Sequence, residues 1–266
     1  MLLSMALLLA LVGAFAGVLA GLLGVGGGIV LVPAFFYAFR VLGFDAPDIM
    51  QVCVATSLAT IVVTSIRSVQ SHHRKGAVDW GILRSWAPFI AVGAVLGMLA
   101  ASILNGEALQ AIFAVLAMIV ALYMGFGRAG WRLAEAMPGT VGRAVYGPSI
   151  GFLSVLMGIG GGSFGVPFMS LHGIAIHRAV ATAAGFGLAI AVPSVVGFLL
   201  APVEGAPPFT LGSVNGPAFL IIVAMTLLTT PIGANLAHRL DPGPLKRIFA
   251  VFLFLVAVNM GREALT

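Results

Sequence analysis

The chain is 266 residues long, 61% hydrophobic and only 8% charged, with a mean hydropathy of +1.15. A soluble globular protein carries about 25% charged residues, so this composition excludes a soluble domain and indicates a protein that crosses a membrane several times. The 13 Lys and Arg residues are scattered at the ends of apolar runs, which is typical of topology signals and not of a nucleic-acid-binding surface. The single cysteine, Cys53, excludes a disulfide within the chain and a cysteine-metal cluster.

The N-terminal apolar stretch leads to Ala14-Phe15-Ala16, a pattern similar to the cleavage site of a signal peptide. No Lys or Arg precedes the apolar run, and a repeated unit of the sequence begins close to this point. We therefore expect this stretch to be retained as part of the membrane protein.

A glycine-rich break occurs twice, as GVGGG at Gly24–Gly28 and as GIGGG at Gly158–Gly162. Both copies are followed by a Val-Pro pair, and the windows Gly17–Pro33 and Gly151–Pro167 match at nine of seventeen positions. Glycine disfavours helix, and unwound backbone is tolerated within a membrane only where protein or a cavity satisfies its polar groups. Paired breaks in two halves of a chain indicate the binding site of a transporter.

Six further apolar runs are close to the roughly 20 residues that a helix needs to cross a bilayer. They are Ile49–Ser68, Trp86–Leu104, Ala108–Phe126, Ala179–Pro202, Pro217–Leu236 and Leu245–Met260. The duplication extends into them, because Gly97–Met124 matches Gly233–Met260 at eleven of twenty-eight positions. We predict an all-α integral membrane protein with one membrane domain, in which residues 1–126 and 144–266 form two homologous halves joined by a linker over residues 127–143. Each half contains a glycine-broken segment and three transmembrane helices.

Corresponding loops of the two halves carry opposite charge character. In the first half, the basic loop contains Arg67, Arg74, Lys75 and Arg84. In the second half, the basic residues lie one inter-helix loop further along the repeat, at His238, Arg239, Lys246 and Arg247. If each broken segment is a re-entrant hairpin, the halves are inverted and eleven of the thirteen Lys and Arg residues lie inside. If each is a continuous span, the halves are parallel and the count is eight inside against five outside. The positive-inside rule favours the inverted repeat.

In an inverted repeat, the two breaks approach the midplane from opposite sides and present free backbone N–H groups to one cavity. Helix N-termini bind anions, so we predict a small anionic substrate. The threonines Thr56 and Thr182 follow matching Val-Ala pairs, and either could line the cavity or serve only in packing. The predicted substrate-binding residues are Gly26, Gly27, Gly28, Thr56, Ser57, Gly160, Gly161, Gly162, Ser163 and Thr182. We expect the small-residue ladders Gly13/Gly17/Gly21 and Gly93/Gly97 to serve helix packing instead.

Two other functions compete with transport. The sequence GGSFG, Gly161–Gly165, fits the nucleophile pattern G-x-S-x-G, so an intramembrane serine hydrolase using Ser163 is one alternative. The corresponding position of the first break is Ile29, which disfavours it. A membrane scaffold without a transported substrate is the other alternative. All eight acidic residues lie in loops or near helix ends, and we predict no catalytic residue, metal site or cofactor.

The chain resembles the sulfite exporter TauE/SafE family, also called the TSUP permeases, over almost its whole length. The resemblance rests on AGLLGVGGGIVLVP at Ala20–Pro33, VATSLATIVVTS at Val54–Ser65 and GIGGGSFGVP at Gly158–Pro167. It implies export or import of a small anion, such as sulfite, a sulfonate or another organic anion, across the bacterial inner membrane. The second-half counterpart of Ala55–Leu58 is Ala181–Ala184, which lacks the serine of the usual pattern.

Overall fold

The computed structural model describes residues 2–23, 28–127, 131–237 and 242–265. In this part of the chain it contains ten helices and one two-stranded hairpin. The helices are α1 (Leu2–Leu23), α2 (Gly28–Val41), α3 (Ile49–Arg74), α4 (Trp80–Ile103), α5 (Gly106–Phe126), α6 (Thr140–Leu156), α7 (Gly162–Leu171), α8 (Ile176–Leu199), α9 (Gly216–Ala237) and α10 (Pro242–Glu263). The strands β1 (Thr210–Leu211) and β2 (Val214–Asn215) pair antiparallel between α8 and α9.

The helices confirm the predicted all-α membrane fold. Four whole helices, α3, α4, α5 and α8, and the segment Gly216–Gly233 of α9 are long and apolar enough to cross a membrane. Each of the six predicted apolar runs corresponds to one helix, although the runs that end at Leu104 and Pro202 extend one and three residues past the ends of α4 and α8. Several helices are longer than predicted because polar residues begin them: α4 starts at Trp80, where the Asp79 carboxylate accepts the N–H of Ile82. Helix α6 begins at Thr140, inside the predicted linker.

Helix α3 is the centre of the molecule. Every residue from Ile49 to Ile61 is buried, which agrees with a helix that other helices cover on all sides. Cys53 is a free, fully buried thiol among them, as expected of a small packing residue. Helices α2, α5, α8 and α9 all contact α3.

Helices α3, α5 and α9 begin at one end of the bundle, which we call the first end. The N–H of Gly106, at the start of α5, donates to the carboxylate of Asp48, which immediately precedes α3. The N–H of Asn215, immediately before α9, donates to the hydroxyl of Thr56 in α3. These contacts place the starts of the three helices side by side.

Helices α4 and α8 begin at the opposite, second end. The N–H of Asp79, just before α4, donates to the hydroxyl of Thr182 in the second turn of α8. Helix α8 finishes at the first end, where the N–H of Ser213 in the hairpin donates to the carbonyl of Phe198. Helix α8 therefore runs opposite to its counterpart α3.

Two further helix pairs each join a helix of one half to a helix of the other half. Helix α1 packs along α9, and helix α6, its counterpart, packs along α4. In each pair the helices run in the same direction and glycines bring the backbones together. A Cβ at Gly93 would overlap the carbonyl of Pro148, and one at Gly17 would overlap the hydroxyl of Thr229. These contacts confirm the predicted packing role of the described ladder glycines; Gly21 lies outside the residues whose side-chain surroundings are described.

Helices α5 and α10 pack antiparallel to each other. The amide of Gln110 donates to the carbonyl of Met260, and Gly125 lies beside Ala250. Helix α10 therefore finishes at the first end. Helix α2 finishes there too, because Arg40 of α2 forms a 2.8 Å ion pair with Glu263 of α10.

Candidate functional site

The second glycine break is a sharp turn between α6 and α7. Helix α6 ends where Gly158 adopts a φ of +61°, a conformation that strongly favours glycine. The N–H of Ile159 then donates to the carbonyl of Ser154, and the N–H of Gly158 donates to the carbonyl of Val155. This is the hydrogen-bond pattern with which a glycine commonly ends a helix. All residues from Ser154 to Ser163 are buried, so the turn lies inside the protein.

Gly28, the last residue of the first break, meets the second break at this turn. A Cβ at Gly28, the first residue of α2, would lie 3.0 Å from the carbonyl oxygen of Gly158 and 3.1 Å from Cα of Ile159. The hydroxyl of Ser57 in α3 donates to the same carbonyl of Gly158 at 2.7 Å. Three predicted site elements, Gly28, Ser57 and the second break, are thereby brought together. Gly26 and Gly27 lie outside the described residues.

Helix α7 starts inside the protein with unpartnered donors. The helix begins at Gly162, and its N-cap, Gly161, provides no side-chain cap. Within the described part of the chain, no acceptor is hydrogen-bonded to the N–H groups of Gly160, Gly161, Gly162, Ser163 and Phe164. Buried N–H groups are nearly always partnered, so a row of free ones at a helix start is unusual.

Ser163 adds a side-chain donor to this row. The residue is 5% exposed, and its hydroxyl has no hydrogen-bond partner within the described ranges. Ser154, on the α6 side of the turn, also has a buried hydroxyl without a partner. An unpaired buried hydroxyl costs about 1–3 kcal/mol, so such groups normally have a protein, water or ligand partner. Sequence reasoning identified Ser163 and missed Ser154, which no motif distinguishes from other helix serines.

The surroundings of the α7 start are apolar and tightly packed. Gly161 lies against the backbone of Ala183 and the side chain of Phe186 in α8, where a Cβ would overlap both. Gly160 is less crowded, because a Cβ there would meet Cγ2 of Ile61 at 3.3 Å. Hydrogen bonds from the free N–H groups to an anion are strong in such surroundings, since little water competes for them.

Thr56 and Thr182 connect the two halves. Both are fully buried, and each hydroxyl accepts a backbone N–H at 3.0 Å, from Asn215 and Asp79 respectively. Asp79 and Asn215 are themselves equivalent, being 136 positions apart, and each side chain caps the helix that follows it. Each threonine thus holds the start of a helix in the other half. The sequence singled out the threonines but gave no sign of these partners.

A hydrolytic site at Ser163 would need a neighbouring base. No histidine or carboxylate within the described ranges forms a hydrogen bond with the Ser163 hydroxyl. The ring of His172 bonds to the carbonyl of Phe168, and His73 accepts from the indole of Trp80. The same ranges contain no group of three or more His, Cys, Asp or Glu side chains that could hold a metal ion.

Comparison with known proteins places this arrangement in a family. Residues 9–260 match the model of the sulfite exporter TauE/SafE family, which confirms the resemblance predicted from the glycine motifs. A probable membrane transporter protein of Haemophilus influenzae is 34% identical over 96% of this chain and 97% of the relative. A probable membrane transporter protein of Methanocaldococcus jannaschii is 25% identical over 95% of this chain and 94% of the relative. No solved structure matches the chain significantly. The chain therefore belongs to the sulfite exporter TauE/SafE family, a family of membrane transporters.

Proposed function

We propose that the protein is a secondary carrier or facilitator that moves a small oxyanion, such as sulfite, a sulfonate or another organic anion, across the inner membrane. The observation that carries this proposal is the row of N–H groups from Gly160 to Phe164 and the hydroxyl of Ser163, none of which has a partner among the described residues. These groups are all donors, and a helix N-terminus carries about half a positive charge. An oxyanion supplies the acceptors that they lack.

The directions of the helices support an inverted repeat. Helix α3 runs opposite to α8, and α5 runs opposite to α10, as contacts at Thr56, Thr182 and Gln110 indicate. The pair α1/α2 both enters and leaves at the first end, and α6/α7 does so at the second end. The second glycine break is then the tip of a re-entrant hairpin, and Gly28, at the start of α2, contacts it at Gly158. Two hairpins inserted from opposite ends suit alternating access, because either could open without the other.

The charges at the two ends support an orientation. Only two of the described Lys and Arg residues, Arg40 and Arg262, belong to the first end. The basic residues of the second end are Arg67, Arg74, Lys75, Arg84, Arg132, Arg143, Arg178 and Arg247. By the positive-inside rule, we infer that the second end faces the cytoplasm. The lipid bilayer and a small anion are then the expected partners, and no nucleic acid or cofactor is required.

A binding screen followed by a transport assay tests the proposal. Purified protein is heated with sulfite, thiosulfate, short sulfonates, carboxylates and phosphonates at constant ionic strength. A true ligand raises the melting temperature in a saturable manner, because it binds only the folded state. The best ligand is then followed into proteoliposomes in radiolabelled form. Failure of every anion both to stabilise the protein and to enter the vesicles would refute the carrier and favour a membrane scaffold.

A further inference from the structure

A second polar site lies at the first end of the bundle. A cavity of about 60 Å³ is lined by Asp48, Gln51, Ser102, Ser213 and the segment 201–203. A cavity needs only about 10–15 Å³ of such space to hold a water molecule, so this one has room for a small ion with water beside it. It is formed by the start of α3, the end of α4 and the connection between α8 and α9, so both halves contribute to it.

The donors of the lining side chains are already used. The hydroxyl of Ser102 donates to the carbonyl of Met98, and the hydroxyl of Ser213 donates to the carbonyl of Ala201. Each hydroxyl has one hydrogen, so its lone pairs are what remains for the cavity.

The Gln51 amide also has an acceptor left over. Its Nε2 donates to the carbonyl of Leu104 at 2.6 Å and approaches Oδ1 of Asp48 at 3.4 Å. Both neighbours are acceptors, which requires the amide nitrogen to face them and leaves Oε1 on the other side. Gln51 is 3% exposed, and its Oε1 is buried without a hydrogen-bond partner.

The carboxylate of Asp48 supplies the negative charge of the cavity lining. Its Oδ1 accepts the N–H of Gly106 at 3.2 Å, which leaves Oδ2 without a donor from the described residues. The nearby ion pairs of the first end, Arg40 with Asp45 and Arg40 with Glu263, do not include Asp48. The cavity is therefore bordered by one carboxylate and by the hydroxyl oxygens of Ser102 and Ser213, whose hydrogens point elsewhere.

We propose that this cavity binds a monovalent cation of the size of Na⁺. Hard cations are bound by oxygen ligands, and the lining side chains offer a carboxylate and two hydroxyl oxygens. A single carboxylate among neutral ligands suits one positive charge better than the two of Ca²⁺, whose sites gain affinity from additional carboxylates. Because α3 also supplies Ser57 to the anion site, cation binding at its start is placed to be coupled to the anion. This coupling rests on the proposed function, whereas cation binding itself does not.

The test measures the melting temperature of the purified protein, without a substrate anion, as choline chloride is replaced by NaCl, LiCl, KCl or CaCl₂ at constant ionic strength. Wild-type protein should be stabilised by NaCl with a saturable dependence on concentration. Asp48→Asn should raise the half-saturating concentration about tenfold or more, because a charged ligand is lost while the acceptor for Gly106 remains. The matched control is Glu107→Gln, which removes an exposed charge at the same end outside the cavity and should respond as wild type does.

Binding of ²²Na⁺ to wild-type protein, with competition by the other cations, keeps the test decisive if Asp48→Asn does not fold. Ser102→Ala, which removes one exposed ligand oxygen, should weaken this binding by a smaller factor than Asp48→Asn. Equal responses to all monovalent cations, a response only to CaCl₂, or an unchanged Na⁺ response in Asp48→Asn would each overturn the proposal. Because no anion is used, failure here leaves the anion site standing, and failure of the anion screen leaves this site standing.

Discussion

The hydroxyl of Thr56 accepts the backbone N–H of Asn215 at 3.0 Å, joining the central helix of the first half to the start of α9 in the second half. Asn215 in turn accepts the N–H of Ala218 and so caps α9. The equivalent pair, Thr182 and Asp79, does the same for α4 with the roles of the halves exchanged. The two helices that begin at opposite ends of the bundle are therefore held in position by the other half.

This relationship predicts the effect of replacing the threonines. Thr56→Val and Thr182→Val keep the side-chain shape but leave a buried or half-buried N–H without its acceptor, at a cost of about 1–3 kcal/mol each. We expect both to lower the melting temperature of the purified protein. Thr64→Val is the control, because the Thr64 hydroxyl bonds only to carbonyls of its own helix, at Thr60 and Ile61, and its loss should have a smaller effect. A larger loss of stability in Thr64→Val than in the other two would contradict the cross-half role.

Replacing Ser163 and replacing Ser57 should affect different properties of the protein. Ser163 has no protein partner for its hydroxyl, so Ser163→Ala should preserve stability and weaken anion binding about two- to tenfold. Ser57 donates to the carbonyl of Gly158, so Ser57→Ala should lower the melting temperature. Melting curves with and without the best anion separate the two effects.

Ser163→Ala also distinguishes a carrier from a hydrolase. A carrier that uses the backbone N–H groups retains measurable transport in Ser163→Ala, since alanine keeps every N–H. If the wild-type protein hydrolyses a substrate and this change abolishes the hydrolysis, the hydrolase alternative replaces the carrier.

The sequence predicts the elements of this fold better than the contacts between them. Apolar runs and the repeated GVGGG and GIGGG segments were sufficient to predict the helices and the duplication, because both are local features. The hydrogen bond from Ser57 to Gly158 depends on how α3 and α6 are placed, and two residues 101 positions apart carry no signal of it in the sequence. The cavity at Asp48 and Ser213 was missed for the same reason, since its oxygens come from helix ends and a hairpin that periodicity does not describe.

In the second break, we expect Gly160 to be important for anion binding and Gly161 for packing. Gly160→Ala places a methyl group 3.3 Å from Ile61, which requires only a small adjustment, so the protein should fold while the added group obstructs the free N–H groups. We expect at least a tenfold loss of anion affinity with little change in melting temperature. Gly125→Ala, near the end of α5, is the control, because its Cβ would make an ordinary 3.7 Å contact with Ala250 of α10.

Gly161→Val should behave differently from Gly160→Ala. Its side chain would overlap the carbonyl of Ala183 and the side chain of Phe186, so the dominant effect should be a loss of folded protein. Fluorescence-detected size-exclusion chromatography measures that fraction before any ligand is added. Wild-type anion affinity in folded Gly160→Ala would show that the break serves packing, and the site would then be sought near Ser154.

The orientation of the two ends can be tested in intact cells. Ser71 is exposed near the end of α3, at the basic second end, and Glu204 is exposed in the connection at the first end. A membrane-impermeant maleimide should label Glu204→Cys from outside, whereas Ser71→Cys should be labelled only after the membrane is permeabilised. The native Cys53 is fully buried and provides an unreactive background. Labelling of Ser71→Cys in intact cells, with Glu204→Cys protected, would reverse the orientation. Equal access to both from one side would refute the inverted arrangement, because these positions lie at opposite ends of the bundle.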